Sequence, residues 1–558
     1  MGNTDFVTIY CKNNNIYKEV KPGSSLFEIY KAVGSPLKHR ALCASVNNRV
    51  RSLMYRCWQP KEVEFLDYTK LSGSRVYVRS LCFILSKAVN DIFPGRQFNL
   101  EHPVSKGYYC MFDDNEKISE EAIASIKKRM KEIIAADMPF VFNTVRTVDA
   151  VQLFRERGME DKALLLETSG MSYSSYYELD GYVDYFYGDL TPSAGFIELF
   201  DIVSYDVGLL LRVPQLDNPS ELNPVIMQDK MFGAYKRFLE IQKVVGLSDV
   251  GDLNRAIQEE RTSEIVMVAE AIQEKRIAYI AGKIAERYNS NGVRVVLISG
   301  PSSSGKTTFC KRLQIQLITN LLNPLGISLD DYYLNREDTP KDENGNYDFE
   351  SLYAIDLPYF KKDLQRLIEG EEVELPSFNF NSGLREYKGH KLKMRDNSIL
   401  LLEGIHGLNP ELTDNIPPER IFRIYVSALT TISLDGHNWI PTTDNRLLRR
   451  IVRDYQFRGY TAKQTISMWP SVRSGEDKWV FPYQENADEL FNSAMIYEFA
   501  ALRHYAEPIL NEVFETEEEY AESYRLLRFL RYFNYIYENE LPSTSLLREF
   551  LGGGKFKY

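Results

Sequence analysis

The chain has 558 residues, 44% hydrophobic, 26% charged and 13% aromatic; that composition excludes disorder and exceeds what one core serves, so about two to four domains are expected. Its formal net charge of −11 at pH 7 argues against a general nucleic-acid coat, which needs Lys and Arg to neutralise phosphates, while leaving room for local basic patches. Six cysteines, Cys11, Cys43, Cys57, Cys82, Cys110 and Cys310, are scattered without C-x-x-C pairs, which fits neither a zinc knuckle nor a disulfide framework and points to a reducing cytosol. The start MGNTDFVTIY lacks a basic-then-apolar signal and, with Phe6, misses the myristoylation pattern; no apolar run approaches the ~20 residues that span a bilayer. A soluble cytoplasmic protein without a membrane partner is expected.

Residues 5 to 68 alternate the β-rich runs DFVTIYC, ASVNNRVR and EVEFLDY with one helical run, SLFEIYKAV, behind the turn KPGSS. That pattern suits a small β-grasp module, bounded at 1–68. Further on, GSRVYVRSLCFILSKAVNDIFPG, VSKGYYCMF and ISEEAIASIKKRMKEIIAADMPF resemble the second additional domain of threonyl-tRNA synthetases, an α+β domain that edits mischarged tRNA. The module before it resembles their TGS domain, and the second region is bounded at 69–225. In those synthetases the editing site carries H-x-x-x-H on a helix and C-x-x-x-H later; the matching positions here are Arg79, Phe83, Phe186 and Leu190. Phe and Leu offer neither a lone pair for a metal nor a proton for acid–base work, so neither metal nor deacylation is expected there. What the resemblance leaves is a scaffold to hold tRNA or another RNA, sense a small ligand or join two copies into a homo-oligomer. Clustered cations in LKHRALCASVNNRVRSLMYR and IKKRMKEII permit RNA contact. The tyrosines of MSYSSYYELDGYVDYFYGDL could stack bases, although such a run more often builds a packed sheet.

Residues 226–290 lack proline, show helical apolar spacing and read as a helical connector whose apolar positions need burial against both halves. Then VRVVLISGPSSSGKTTFCKRL sets a β-branched run, a glycine turn and the helical spacing of Phe309 and Leu313 in the order strand, loop, helix. Gly300, Gly305, Lys306 and Thr307 meet the pattern G-x-x-x-x-G-K-S/T, in which backbone N–H groups curl around phosphate oxygens at a helix N-terminus. The candidate ATP-binding residues are Gly300, Ser302, Ser303, Ser304, Gly305, Lys306, Thr307 and Thr308. Lys306 would reach the β- and γ-phosphates, and the Thr307 hydroxyl would ligate Mg²⁺.

The next segment, GISLDDYYLN, reads as a strand ending in two carboxylates. Asp330, at such a strand end, is placed to accept a proton from an attacking hydroxyl or to hold Mg²⁺. SILLLEG at 398–404 is a third strand, ending in Glu403 where a Walker-B-type acid would sit. In NRLLRRIVRDYQFRG, Arg446, Arg449, Arg450 and Arg453 fall at helical i, i+3, i+4 and i+7, with Arg458 beyond. Such a face closes over a transferring phosphoryl as a lid; the alternative is a solvated helix with salt bridges.

In order, GPSSSGKTT, SLDDYY, NYDFES, ELPSFNFNSGLREY, ILLLEGIHGL and RLLRRIVRDYQFRG resemble the uridine kinase and phosphoribulokinase family of P-loop kinases, and this domain is bounded at 291–515. The resemblance implies a parallel-sheet core, ATP with Mg²⁺, and transfer of the γ-phosphate to the 5′-hydroxyl of a nucleoside. It places Asp330 as the base, with Lys306, Arg450, Arg453 and Arg458 in the catalytic set. It puts Glu403 beside Thr307 near the metal, and Tyr333, Asp348, Phe378, Phe380 and Arg385 in the nucleoside pocket. Gly383 stands where uridine kinases carry the His that reads the pyrimidine, Phe349 where they carry His after NYD, and Tyr460 where the lid motif ends in Arg. An insertion, TISLDGHNWIPTTD, precedes the arginine helix. A buried hydrogen bond to a base discriminates strongly, so its loss puts uridine in question and leaves a purine nucleoside or another sugar hydroxyl open.

Two alternatives remain: an ATP-switched RNA-binding regulator, which has no need of Asp330, and a kinase of a phosphorylated sugar, which an aromatic pair suits less than a flat base. The tail, 516–558, holds at least one further helix and should fray in GGGKFKY. The architecture expected is multidomain α/β and α+β: a P-loop parallel-sheet core preceded by a β-grasp module and an α+β synthetase-like domain.

Overall fold

The computed structural model describes residues 6–34, 36–342, 345–379 and 382–557. Strands Val7–Cys11 and Ile16–Val20 form an antiparallel hairpin, and Val7–Cys11 pairs in parallel with Lys61–Leu66 in a five-stranded sheet. Helix Leu26–Val33 turns Leu26, Ile29 and Val33 inward; a capping box between Ser25 and Glu28 starts it and left-handed Gly34 ends it. Helix Leu71–Ile92 is buried almost all round, because it shares one core with that sheet and with the four-stranded antiparallel sheet that includes Phe98–Val104 and Gly107–Phe112. The tyrosine-rich run forms strands Tyr173–Leu179 and Tyr182–Asp184 of a third sheet.

Three helices, Asp229–Val245, Val250–Gln258 and Thr262–Asn291, lead to the C-terminal half. Val250 and Leu253 share a core with Phe154 and Leu165 of the N-terminal half. In the last of these helices Glu270 and Glu274 clamp Arg312 at 3.0 and 2.7 Å.

In the C-terminal half β1 (Val295–Ser299), β2 (Asn323–Ser328), β3 (Ser398–Glu403), β4 (Ile421–Ser427) and β5 (Glu489–Asn492) form a parallel sheet in the order β2-β3-β1-β4-β5. β1 is apolar along its length because both faces are covered. Val296 and Ile298 face a core shared with helix Thr262–Asn291 and with α1 (Lys306–Thr319), while Val295 and Leu297 face helix Leu357–Ile368. A hairpin of Glu372–Asn379 and Leu384–Lys393 stands apart from this sheet.

Two expectations shift. The segment GISLDDYYLN is a strand only to Ser328; a 3₁₀ turn, Leu329–Tyr332, follows, because the Ser328 hydroxyl takes the Asp330 N–H at 3.3 Å and caps it. Residues 552–557 are tied back: the Lys555 N–H donates to Ser543 O at 2.9 Å, and Arg548 donates to Gly552 O at 3.2 Å. Among the described residues no helix is long and apolar enough to cross a membrane.

Candidate active site

β1 runs into the loop 300–305, whose shape is dictated by crowding. A Cβ on Gly300 would stand 2.0 Å from Val426 O. Gly305 (φ 81°) and Ser303 (φ 57°) adopt left-handed backbone that turns the chain into the first turn of α1. Lys306, 8% exposed, folds its Nζ onto Pro301 O at 3.1 Å. Among the described residues the buried hydroxyls of Ser303 and Ser304 have no hydrogen-bond partner. Unpaired buried hydroxyls beside the first N–H groups of a helix, which have no partner within the helix itself, are what a polyphosphate satisfies, so the loop fits ATP.

Strand register brings the acids to this loop. Glu403, the last residue of β3, is the partner of Ile298 on one side and Ser328 on the other, so it lies between the phosphate loop and the turn that carries Asp330. Burial pushes the Glu403 carboxyl up to about 7, with Lys306 opposing and Asp330 adding to the rise. Burial also lifts Asp330 above the usual carboxylate range, while Lys306, Arg458 and Arg453 pull it back. Glu350, which sequence reasoning passed over, belongs to the same field: burial and then Glu476 push it up to about 7, with Arg450 and Lys306 opposing. Its side chain packs so closely on Gly475 that a Cβ there would stand 2.3 Å away. Its only signal in the sequence was membership of the NYDFES segment.

The arginine helix, α2 (Thr442–Arg458), divides its cations between two tasks. Arg446 and Arg449, 1% and 0% exposed, brace the loop from beneath. Arg446 pairs with Glu476 and donates to Ser302 O at 2.9 Å; Arg449 pairs with Glu498 at 2.6 Å and donates to Ser303 O at 3.4 Å. Arg450 reaches Ser302 Oγ at 2.8 Å, and Arg450, Arg453 and Arg458 gather on the buried Asp454 at 3.2, 2.8 and 3.6 Å. Asp454, Glu476 and Glu498 were not singled out in the sequence, since each acts through an arginine; Asp454 lies within RLLRRIVRDYQFRG but Glu476 and Glu498 lie in none of the quoted motifs.

At the outer end the rings of Tyr333 and Phe378 meet edge to face, 5.6 Å apart. Burial, followed by the charges of Asp330, Glu350 and Asp348, raises the Tyr333 phenol far above its ordinary value, so Tyr333 and Asp348 share the field of the phosphate site. Asp331 accepts the Phe378 N–H at 3.2 Å. Arg385 pairs with Asp356 at 3.0 Å and donates to the carbonyls of Tyr332 and Tyr333 at 3.1 and 3.0 Å, locking the turn that carries Tyr333. Gly383 is roofed by Arg336, whose Cβ would lie 2.9 Å from a Cβ added there. Phe380 lies outside the described residues.

The Phosphoribulokinase / Uridine kinase family model matches residues 295–497. Over this stretch the chain is similar to that family of kinases. The N-terminal region of the chain instead matches threonine–tRNA ligases. That of Carboxydothermus hydrogenoformans is 25% identical over 193 residues, and that of Syntrophomonas wolfei 27% over 188 residues, each match covering 34% of this chain. The chain spans about 30% of the length of these curated relatives. Among solved structures, a "possible uridine kinase" from Bacillus stearothermophilus is 17% identical and covers 36% of this chain and 89% of its own, with a TM-score of 0.25.

The insert of the C-terminal half ahead of α2 runs into the N-terminal half. His437 sets Nδ1 2.6 Å from Asp184 Oδ2 and Nε2 2.9 Å from Phe98 O. Lys162, 1% exposed, stands 2.9 Å from Asp184 and 2.8 Å from Asp435, and Asn438 donates to Tyr185 O at 2.9 Å. Of the four positions matched to the synthetase editing site, Phe186 touches this junction. Phe186 stacks on His437 at 6.2 Å and meets Phe83 at 5.5 Å; Leu190 is buried, and Arg79 donates to the carbonyls of Tyr187 and Asp189. The insert was visible in the sequence, but its destination was not.

Proposed function

We propose that the chain is an ATP-dependent nucleoside kinase that transfers the γ-phosphate to the 5′-hydroxyl of a nucleoside. The observation that carries this reading is the convergence of Lys306, Asp330 and Glu403 at the carboxyl ends of β1, β2 and β3, with Arg453 and Arg458 in the same field. Asp330 takes the proton of the attacking hydroxyl, and the burial that lifts its carboxyl above the usual range makes it a stronger base. Lys306 and the arginines meet the charge that spreads over the transferred phosphoryl. Thr307 and Glu403 are the groups that would hold Mg²⁺, which, when bound, neutralises phosphate charge. The edge-to-face pair of Tyr333 and Phe378 supports a flat base as the acceptor's recognised part. With Gly383 in the base-reading position, a purine nucleoside stands beside uridine as acceptor.

An RNA-binding switch has less support. Several cations of the N-terminal basic clusters are engaged within the chain: Arg49 lies over the Tyr524 ring at 3.9 Å, Arg56 donates to Gly23 O, and Lys127 pairs with Asp201. The test is a transfer assay with Mg-ATP and a panel of ribo- and deoxyribonucleosides, read by mass of the monophosphate. One strong product supports the kinase and names the base. Tight ATP binding with no nucleoside product overturns the nucleoside as acceptor.

A further inference from the structure

The C-terminal extension reaches back to the phosphate loop. Leu546, Leu547 and Phe550 are wholly buried, and Arg449 lies over the Phe550 ring at 4.9 Å. Arg548 donates to the carbonyls of Glu538, Leu541, Pro542 and Gly552, tying the segment into one shape. This anchoring presents Glu549 to the first turn of α1, where its Oε2 accepts the Thr308 N–H at 3.0 Å and the Thr308 hydroxyl at 2.8 Å.

Two carboxylates therefore sit on N–H groups of the loop and its helix, and they differ in one respect. Glu476, on the Ser302 N–H at 2.8 Å, is neutralised by Arg446 and Arg473. Among the described residues the Glu549 carboxylate has no ion-pair partner, and Thr308 is the one residue that donates to it. An unneutralised acid is thus held by donors that a phosphate-loop motif presents to phosphate. A phosphate oxygen on the Thr308 N–H would occupy the same shell of about 3 Å, and two anions at that separation repel. The backbone of the extension is anchored, but the Glu549 side chain turns about its own single bonds, so yielding the donor requires a rotamer change and no unfolding.

We propose that Glu549 is an affinity-setting residue of the nucleotide site, a carboxylate of the chain's own tail that occupies the Thr308 donors and that the polyphosphate of a nucleotide must displace. This rests on the kinase reading given above. Glu549 acts at the site without belonging to the phosphate-loop motif, and its side chain alone responds to nucleotide occupancy.

The test is calorimetric titration of the full chain with MgADP. Glu549→Gln keeps the length and an acceptor oxygen and removes the charge; it is expected to tighten MgADP binding about tenfold. Glu549→Asp, which withdraws the carboxylate by one methylene, should tighten it less. Glu540→Gln, a neutralisation in the same extension at a residue bonded to Ser263, should leave affinity unchanged. Equal or weaker affinity for Glu549→Gln and Glu549→Asp than for the unaltered chain overturns the proposal while leaving the kinase reading intact. Failure of every protein, unaltered chain included, to bind MgADP removes the nucleotide reading and the proposal with it.

Discussion

His437 Nδ1 in the insert of the C-terminal half lies 2.6 Å from Asp184 Oδ2 in the N-terminal half. Lys162 and Asp435 complete the cluster, and all four residues are at most 9% exposed. His437 lies five residues before α2 begins at Thr442, so the helix that carries Arg450, Arg453 and Arg458 starts close to a point pinned to the synthetase-like half.

Lys162→Met would strand two buried carboxylates at that junction. Breaking a buried ion cluster from one side costs about 3–5 kcal/mol, and urea unfolding should read a loss of that size. Adding Asp435→Asn should restore part of it. A loss of less than about 0.5 kcal/mol, the scatter of an ordinary surface substitution, would show that the cluster does not hold the halves together.

The acids of the two regions give opposite pH dependences. Burial opposes the charge of Asp184, yet His437 and Lys162 prevail and hold its carboxyl at about 2. Its stabilisation is therefore present above the unfolded value of about 4 and lost as pH falls toward 2. Glu350 and Glu403, both pushed up to about 7, bind protons in the folded state that the unfolded chain has already released. Their contribution is full below about pH 4.5 and is lost as pH rises through 7. Urea midpoints followed from pH 4.5 to 8 should carry this decline, and Glu350→Gln should flatten it. An unchanged slope in the variant would place Glu350 outside the buried field.

Asp330→Asn retains shape and removes the base. Transfer should fall about 10³-fold while MgADP affinity, measured by calorimetry, stays within twofold of the unaltered chain. If binding and turnover fall together, Asp330 holds the nucleotide and is not the proton acceptor.

Gly300→Ala puts a methyl group 2.0 Å from Val426 O, a backbone atom of β4 that cannot swing aside. Overpacking of this kind costs about 1–3 kcal/mol, and the displaced loop should weaken MgADP binding at least tenfold. Gly282→Ala, in helix Thr262–Asn291 with nothing within 4 Å of the new Cβ, serves as the reference and should be neutral or slightly stabilising. Equal binding by both variants would mean that the loop tolerates a side chain at Gly300.

What could be read without coordinates was local. Phosphate loop, strand ends and arginine helix each follow from spacing within about twenty residues, where glycine, apolar period and charge act through neighbouring backbone. Asp330 was placed at the right loop but on a strand, since an Asp-Asp pair after an apolar run reads alike whether the strand continues or a hydroxyl at its end caps a turn. Glu549 was illegible for a different reason: 241 positions separate it from Thr308, and a lone Glu in a tail carries no pattern.

The sequence by itself determined that this chain joins a phosphate-loop domain to a synthetase-like half with Arg79, Phe83, Phe186 and Leu190 at the positions matched to the editing site, because those properties reside in residue types at short spacing. Tertiary structure alone decided which arginines brace the loop and which act on Asp330, that Glu350 and Glu549 stand at the site, and that His437 of the insert stacks on Phe186. Each is a contact across a large sequence separation, and burial, which sets the charge state of Glu350, Glu403 and Asp184, exists only once those distant segments have excluded water between them.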